Sequence, residues 1–183
     1  PIMTTREEYE QIKAYARIDG AIMGGMWILS FACFIGQFYE PVLNMASMVL
    51  GISAIVVSAI RLKNFRDNIL DGVISYWKAY GYSLLTYFYA SLLMAAAQYI
   101  YFQFIDHGFM LAQYTAMTSS PEFKSLMTLY GIKADEMKMT MDTIATLRPI
   151  DIALQFLTTN LFLGIVISWP IAALLKSKYK RKF

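Results

Sequence analysis

Four stretches of the chain carry no charged side chain: Gly20–Tyr39, Pro41–Ile60, Ala79–Ile105 and Ile152–Leu175. At a rise of about 1.5 Å per helical residue, each is long enough to cross the roughly 30 Å hydrocarbon layer of a bilayer. Within that layer the backbone must satisfy its own N–H and C=O groups, and an unbroken apolar run of this length does so as a helix. The fold class is therefore all-α, an integral membrane four-helix bundle. One domain, 1–183, holds spans at about 20–39, 41–60, 79–105 and 152–175, with an outer helical loop over 106–151. A chain of 183 residues that is 57% hydrophobic and 16% charged is too apolar for an ordinary soluble domain and too short for two bundles.

The composition also excludes several function classes. A net charge of +3 without a basic soluble face argues against nucleic-acid binding. The single cysteine, Cys33, lies in the first apolar run, and one histidine, His107, cannot build a Cys/His zinc site, so no metal or other cofactor is expected. Near the N-terminus Arg6, Lys13 and Arg17 are matched by Glu7, Glu8, Glu10 and Asp19, and the following apolar run is too long for a signal peptide. A retained first span is expected. No acylation or prenylation pattern stands out.

Orientation follows from the cations. Of sixteen Lys and Arg residues, only Lys124, Lys133, Lys138 and Arg148 fall in the loop between spans three and four, and none falls in the turn at Glu40. The other twelve occupy the segments before span one, between spans two and three, and after span four. The positive-inside bias thus places both termini in the cytoplasm and the 106–151 loop outside.

Local signals organise the rest. Thr5 and Glu8 have capping-box spacing, and Tyr9, Ile12 and Ala16 share a helical face that leads straight into span one. Glu40-Pro41 marks a tight turn, so spans one and two form an antiparallel hairpin. Leu62, Phe65, Ile69, Val73 and Tyr76 recur at helical spacing beside Arg61, Lys63, Arg66 and Asp67. That pattern describes either a helix in the headgroup layer or the start of a long span three. In the outer loop Ser120-Pro121-Glu122 opens one short helix that ends near Gly131, and Ala134–Leu147 forms a second. Met137 and Met141 of the second are expected to pack rather than to bind metal.

Small residues at four-residue spacing let helices approach closely in lipid, where water does not drive association. Gly20 and Gly24 give span one such a face, Ser47 and Gly51 give span two another, and Gly164 and Ser168 give one to span four. They are expected to pack within the monomer, or to contact a second copy or a membrane-protein partner. No Asp, Glu, Lys, Arg or His lies inside the charge-free runs, which disfavours a proton path. Asn160 with Thr159, and Gln98, are the groups expected to hold an interhelical hydrogen bond or to line a polar cavity. Asp106-His107 is the one acid–imidazole pair, but sequence neighbours seldom turn their side chains toward each other and no nucleophile accompanies them, so no catalytic residue is assigned. Tyr76, Trp77, Tyr80 and Tyr82 at one end of span three, and Tyr99, Tyr101, Phe102 and Phe104 at the other, form interfacial aromatic belts. Lys176, Lys178, Lys180, Arg181 and Lys182 make a basic tail that fixes orientation and contacts membrane-lipid headgroups.

Several segments carry a resemblance: Arg61-Leu-Lys-Asn-Phe-Arg-Asp, Gly72-Val-Ile-Ser-Tyr-Trp-Lys-Ala-Tyr, Tyr101-Phe-Gln-Phe-Ile-Asp, Pro121-Glu122 with Gly131-Ile-Lys-Ala-Asp-Glu, and Gly164-Ile-Val-Ile-Ser-Trp-Pro-Ile-Ala-Ala-Leu-Leu-Lys. In these the chain resembles an uncharacterised family of small four-span inner-membrane proteins of Bacteroidota, a domain of unknown function. Trp169-Pro170 departs from the aliphatic pair usual there. The resemblance implies a bacterial inner membrane and a four-span topology and transfers no activity. The functional expectation is a non-enzymatic subunit or scaffold acting by helix–helix association. The alternative is a small homo-oligomeric transporter or channel, for which a continuous polar cavity is the discriminating feature.

Overall fold

The computed structural model describes residues 5–177. Among them the regular elements are seven helices and no strands: α1 (Arg6–Gly36), α2 (Val42–Asn68), α3 (Tyr76–Phe104), α4 (Phe109–Thr118), α5 (Pro121–Leu129), α6 (Ala134–Ala145) and α7 (Pro149–Leu175). By length and composition α1, α2, α3 and α7 can each cross a membrane, which makes this a helical membrane bundle. The chain divides into two compact units, one made of the residues up to Ala95 and from Phe156 onward, the other of Ala96–Gln155.

In the first unit α1 begins with the expected capping box, the Thr5 hydroxyl accepting from Glu8 N at 3.2 Å and the Glu8 carboxylate from Thr5 N at 3.1 Å. The helix then runs without a break into the apolar stretch, and Ile12, Ala16, Asp19, Gly20, Met23 and Gly24 form its buried face. It stops at Gly36, whose carbonyl accepts from Tyr39 N and Glu40 N at 3.0 and 2.9 Å. A Cβ on Gly36 would stand 2.6 Å from Leu43 Cδ1 of α2, so the Leu43 side chain packs directly over the glycine. Farther along the hairpin the Ser30 hydroxyl donates to Ser47 O at 2.7 Å, a bond between antiparallel neighbours.

The connection after span two differs from both expectations for it. Leu62 and Phe65 belong to α2 and are only 1% and 3% exposed, because they continue the buried face set by Ser47, Ala54 and Ser58. Their apolar stripe meets protein, not headgroups. The chain then reverses through Asp71 and Gly72, both at positive φ, before α3 begins at Tyr76. Of the four long helices α3 is the most buried and α7 the least, so α3 is the hub of this unit.

The second unit holds three short helices where the sequence suggests two. The additional one, α4, starts after His107 and Gly108, whose positive φ values break the line of α3. Asp106 organises the break: it accepts from Tyr101 Oη at 2.8 Å, Gly108 N at 3.1 Å and Met110 N at 3.1 Å. Ser120 caps α5 through Phe123 N, and Gly131 follows α5 at φ +73°, both where the sequence places them. Arg148 and Asp151 form a two-pronged ion pair at the start of α7, with N–O distances of 2.9 and 3.0 Å.

Candidate functional site: a buried charge cluster joining three helices

Helical spacing puts Asp19 between Ala16 and Met23 on the buried face of α1. Its side chain is 1% exposed, far from what an ionised carboxylate tolerates unless paired. Two donors from different helices meet it. Arg61 Nε of α2 lies 2.7 Å from Oδ1, and the Tyr82 hydroxyl of α3 donates to Oδ2. The Arg61 side chain is itself 39% exposed, so the pair joins a buried carboxylate to a cation at the edge of the buried zone. Phe65 covers the cluster, with ring centroids 4.7 Å from Tyr82 and 5.0 Å from Tyr15.

Further polar ties surround the same end of the first unit. Lys78 pairs with Glu8 at 3.0 Å, Arg66 donates to Leu175 O at 2.9 Å, and Ser177 exchanges two bonds with Ile74, its hydroxyl accepting from Ile74 N and its own N donating to Ile74 O. The start of α1, the reversal between α2 and α3, and the segment after α7 thus meet at one place. Each oxygen of the Asp19 carboxylate is thus occupied by a donor from a neighbouring helix. Among the described residues no group of three metal-capable side chains comes together. What this arrangement does is lock the register of α1, α2 and α3.

The small-residue faces also converge on α3. A Cβ on Gly20 would stand 2.6 Å from Tyr89 Cβ and 2.9 Å from Thr86 O, and one on Gly24 would stand 2.9 Å from Leu93 and 3.3 Å from Ala90 Cα. On α7 a Gly164 Cβ would meet Tyr87 Cβ at 2.7 Å, and one turn on the Ser168 hydroxyl bonds that of Ser83 at 2.9 Å. Ser47 and Gly51 instead face α1: Ser47 bonds Ser30, and a Gly51 Cβ would stand 3.6 Å from Ser30 Oγ. Tyr87 is the meeting point of the four helices. Gly164 of α7 packs on it, Trp27 of α1 meets its ring edge-on at 5.9 Å, and Ser58 of α2 stands beside its hydroxyl. The Ser58 proton is committed to Ile55 O at 2.6 Å, and the Tyr87 hydroxyl is buried without a partner in good geometry, as is that of Ser91 one turn along.

The remaining residues singled out in the sequence are more scattered. Asn160 is half-buried and Thr159 exposed on α7, whereas Gln98, in the second unit, is buried with its Oε1 unpartnered. Asp106 serves the α3–α4 connection described above, and His107 is exposed beside it. Lys176 is exposed, and Lys178, Lys180, Arg181 and Lys182 lie outside the described residues. The Asp19–Arg61–Tyr82 cluster went unseen in the sequence because its two charged members bracket the charge-free runs instead of interrupting them. A signal was present: Asp19 and Arg61 stand equally far along the chain from Glu40, and residues equidistant from a tight turn are level with each other in an antiparallel hairpin.

Comparison with curated proteins and with solved structures finds no match. A family model does match over residues 19–177, from Asp19 of the cluster to Ser177 beside Ile74. The chain belongs to DUF4199, a family of proteins of unknown function.

Proposed function

We propose that this is a non-enzymatic subunit or scaffold of a bacterial inner membrane, acting by helix–helix association, with both termini cytoplasmic and the 106–151 segment outside. The observation that carries the reading is the close packing on α3 in the first unit. Gly20, Gly24 and Gly164 bring α1 and α7 into direct contact with α3, leaving no width for a lumen between α1 and α3 or between α3 and α7. Those glycines are thereby occupied internally, so association falls to the outward faces. The outward face of α7 carries Phe162, Val166 and Trp169, each more than half exposed and at helical spacing. The orientation rests on the cation count, and the meeting of three cation-bearing segments at one end of the first unit is in keeping with it.

The test is cysteine cross-linking in native membranes, with Cys33→Ser as background and single cysteines at Phe162, Val166 and Trp169. The proposal expects adducts, to a second copy or to a partner, at these positions and not at Tyr87, which faces inward. Absence of any adduct along the α7 stripe overturns it. A second reading, transport, is favoured by the buried, unpartnered hydroxyls of Tyr87 and Ser91, groups that an internal water or a passing solute would satisfy. Substrate-dependent flux in proteoliposomes that disappears in Tyr87→Phe would replace the scaffold by a transporter.

A further inference from the structure

The three short helices of the second unit border a partly open space that protein does not fill. Among α4, α5 and α6 no residue is buried, although α5 and α6 are amphipathic and their apolar side chains line one common hollow. Helices of 9 to 12 residues are not stable on their own in water and depend on burying an apolar face. Here those faces line a partly open cavity of about 700 Å³. That size lies within the range of roughly 300–1,000 Å³ typical of small-molecule sites. Its apolar wall is Leu111, Phe123, Met127, Met137 and Met141. Three methionines give a wall that adapts its shape to a flexible chain.

The polar part of the lining is selective in sign. Thr115, Thr118 and Thr128 direct their hydroxyls to helix carbonyls at 2.8, 3.0 and 2.9 Å and present no free donor. Lys124, Lys133 and Lys138 also line the cavity, and among the described residues none of the three forms an ion pair. Asp142 is the one acid in the lining. Three cations against one anion around an apolar hollow ask for a ligand with a long apolar body and a negative head.

We propose that the cavity between α4, α5 and α6 binds a single-chain anionic amphiphile, its alkyl chain on Leu111, Phe123 and the three methionines and its carboxylate or phosphate on Lys124, Lys133 and Lys138. The site is independent of the scaffold reading, since it uses no residue of the first unit.

The experiment uses the full chain in phosphatidylcholine nanodiscs, labelled with a photoreactive long-chain fatty acid and mapped by mass spectrometry. Expected is labelling concentrated within 111–141, displaced by oleate and by a lysophosphatidate but not by methyl oleate. If only the lysophosphatidate displaces it, the site is specific for a phosphate head, and if only oleate does, for a carboxylate; both keep the proposal. The variant Lys124→Gln/Lys133→Gln/Lys138→Gln changes exposed side chains only, and its helical circular dichroism should match the parent. Its labelling should fall by about tenfold or more, the loss expected when hydrogen bonds to a charged head are removed. Equal displacement by methyl oleate, an unchanged yield in the triple variant, or label spread over the outer faces of α2 and α7 without enrichment in 111–141 would each overturn the proposal.

Discussion

Removing Arg61 should destabilise the protein more than removing its partner Asp19. The two side chains start from different solvation: Asp19 is 1% exposed and Arg61 39%. Arg61→Ala leaves a buried carboxylate with the Tyr82 hydroxyl as its one remaining donor among the described residues, and breaking a buried pair in this way costs about 3–5 kcal/mol. Asp19→Ala leaves a guanidinium that already reaches solvent or headgroups, and the main loss is the acceptor of the buried Tyr82 hydroxyl, about 1–3 kcal/mol. The double variant Asp19→Ala/Arg61→Ala has no stranded charge. It should therefore be more stable than Arg61→Ala alone, with a coupling of about 2 kcal/mol in the cycle. Asp19→Asn should fall between the parent and Asp19→Ala, because an amide still offers Tyr82 or Arg61 an acceptor. The assay is unfolding by SDS from mixed micelles, followed by far-ultraviolet circular dichroism at fixed detergent composition. Additive single effects, or an Asp19→Ala variant less stable than Arg61→Ala, would refute the claim that a buried carboxylate is the group the cluster exists to satisfy.

Three further outcomes are expected. Gly164→Ala should destabilise in the same assay, since its Cβ would collide with Tyr87 Cβ at 2.7 Å, while Gly25→Ala, which meets open space, should match or exceed the parent because alanine is the better helix former by about 1 kcal/mol. Asp106→Ala should raise hydrogen-exchange rates at the amides of Gly108 and Met110, which lose their acceptor, and leave those of α1 unchanged. In a Cys33→Ser background, cysteine at Ser119 should react with a membrane-impermeant maleimide in intact spheroplasts and cysteine at Lys176 only after lysis; the reverse pattern would invert the proposed orientation.

How much of this was legible in the sequence depends on what periodicity can report. The hairpin, the Thr5–Glu8 box, the Ser120 cap and the Gly131 stop were readable because each is a local signal read within a few residues. Leu62 and Phe65 have the helical spacing the sequence shows, but they belong to α2 rather than to the start of span three and meet protein rather than headgroups, since an apolar stripe looks the same whatever covers it. The small-residue faces were visible as faces, but not that Gly20, Gly24 and Gly164 all point to α3, whose answering residues Thr86, Tyr87 and Tyr89 are not themselves small. The α4 helix carries no such local signal: Phe109–Thr118 follows the charge-free run that ends at Ile105 without a side-chain cap, and only the backbone at His107 and Gly108 shows where it starts. Asp19 and Arg61 look like flanking charges, and only their equal distance from the turn at Glu40 pairs them.

The proposed action through helix–helix association is open to a direct test, the mass of the complex extracted from its native membrane. Extraction in a lipid-retaining copolymer followed by native mass spectrometry should give an assembly well above the 20.9 kDa of one chain, containing further copies or a distinct membrane protein in fixed ratio. A mass of one chain with lipid alone, across the range of mild extraction conditions, would contradict it.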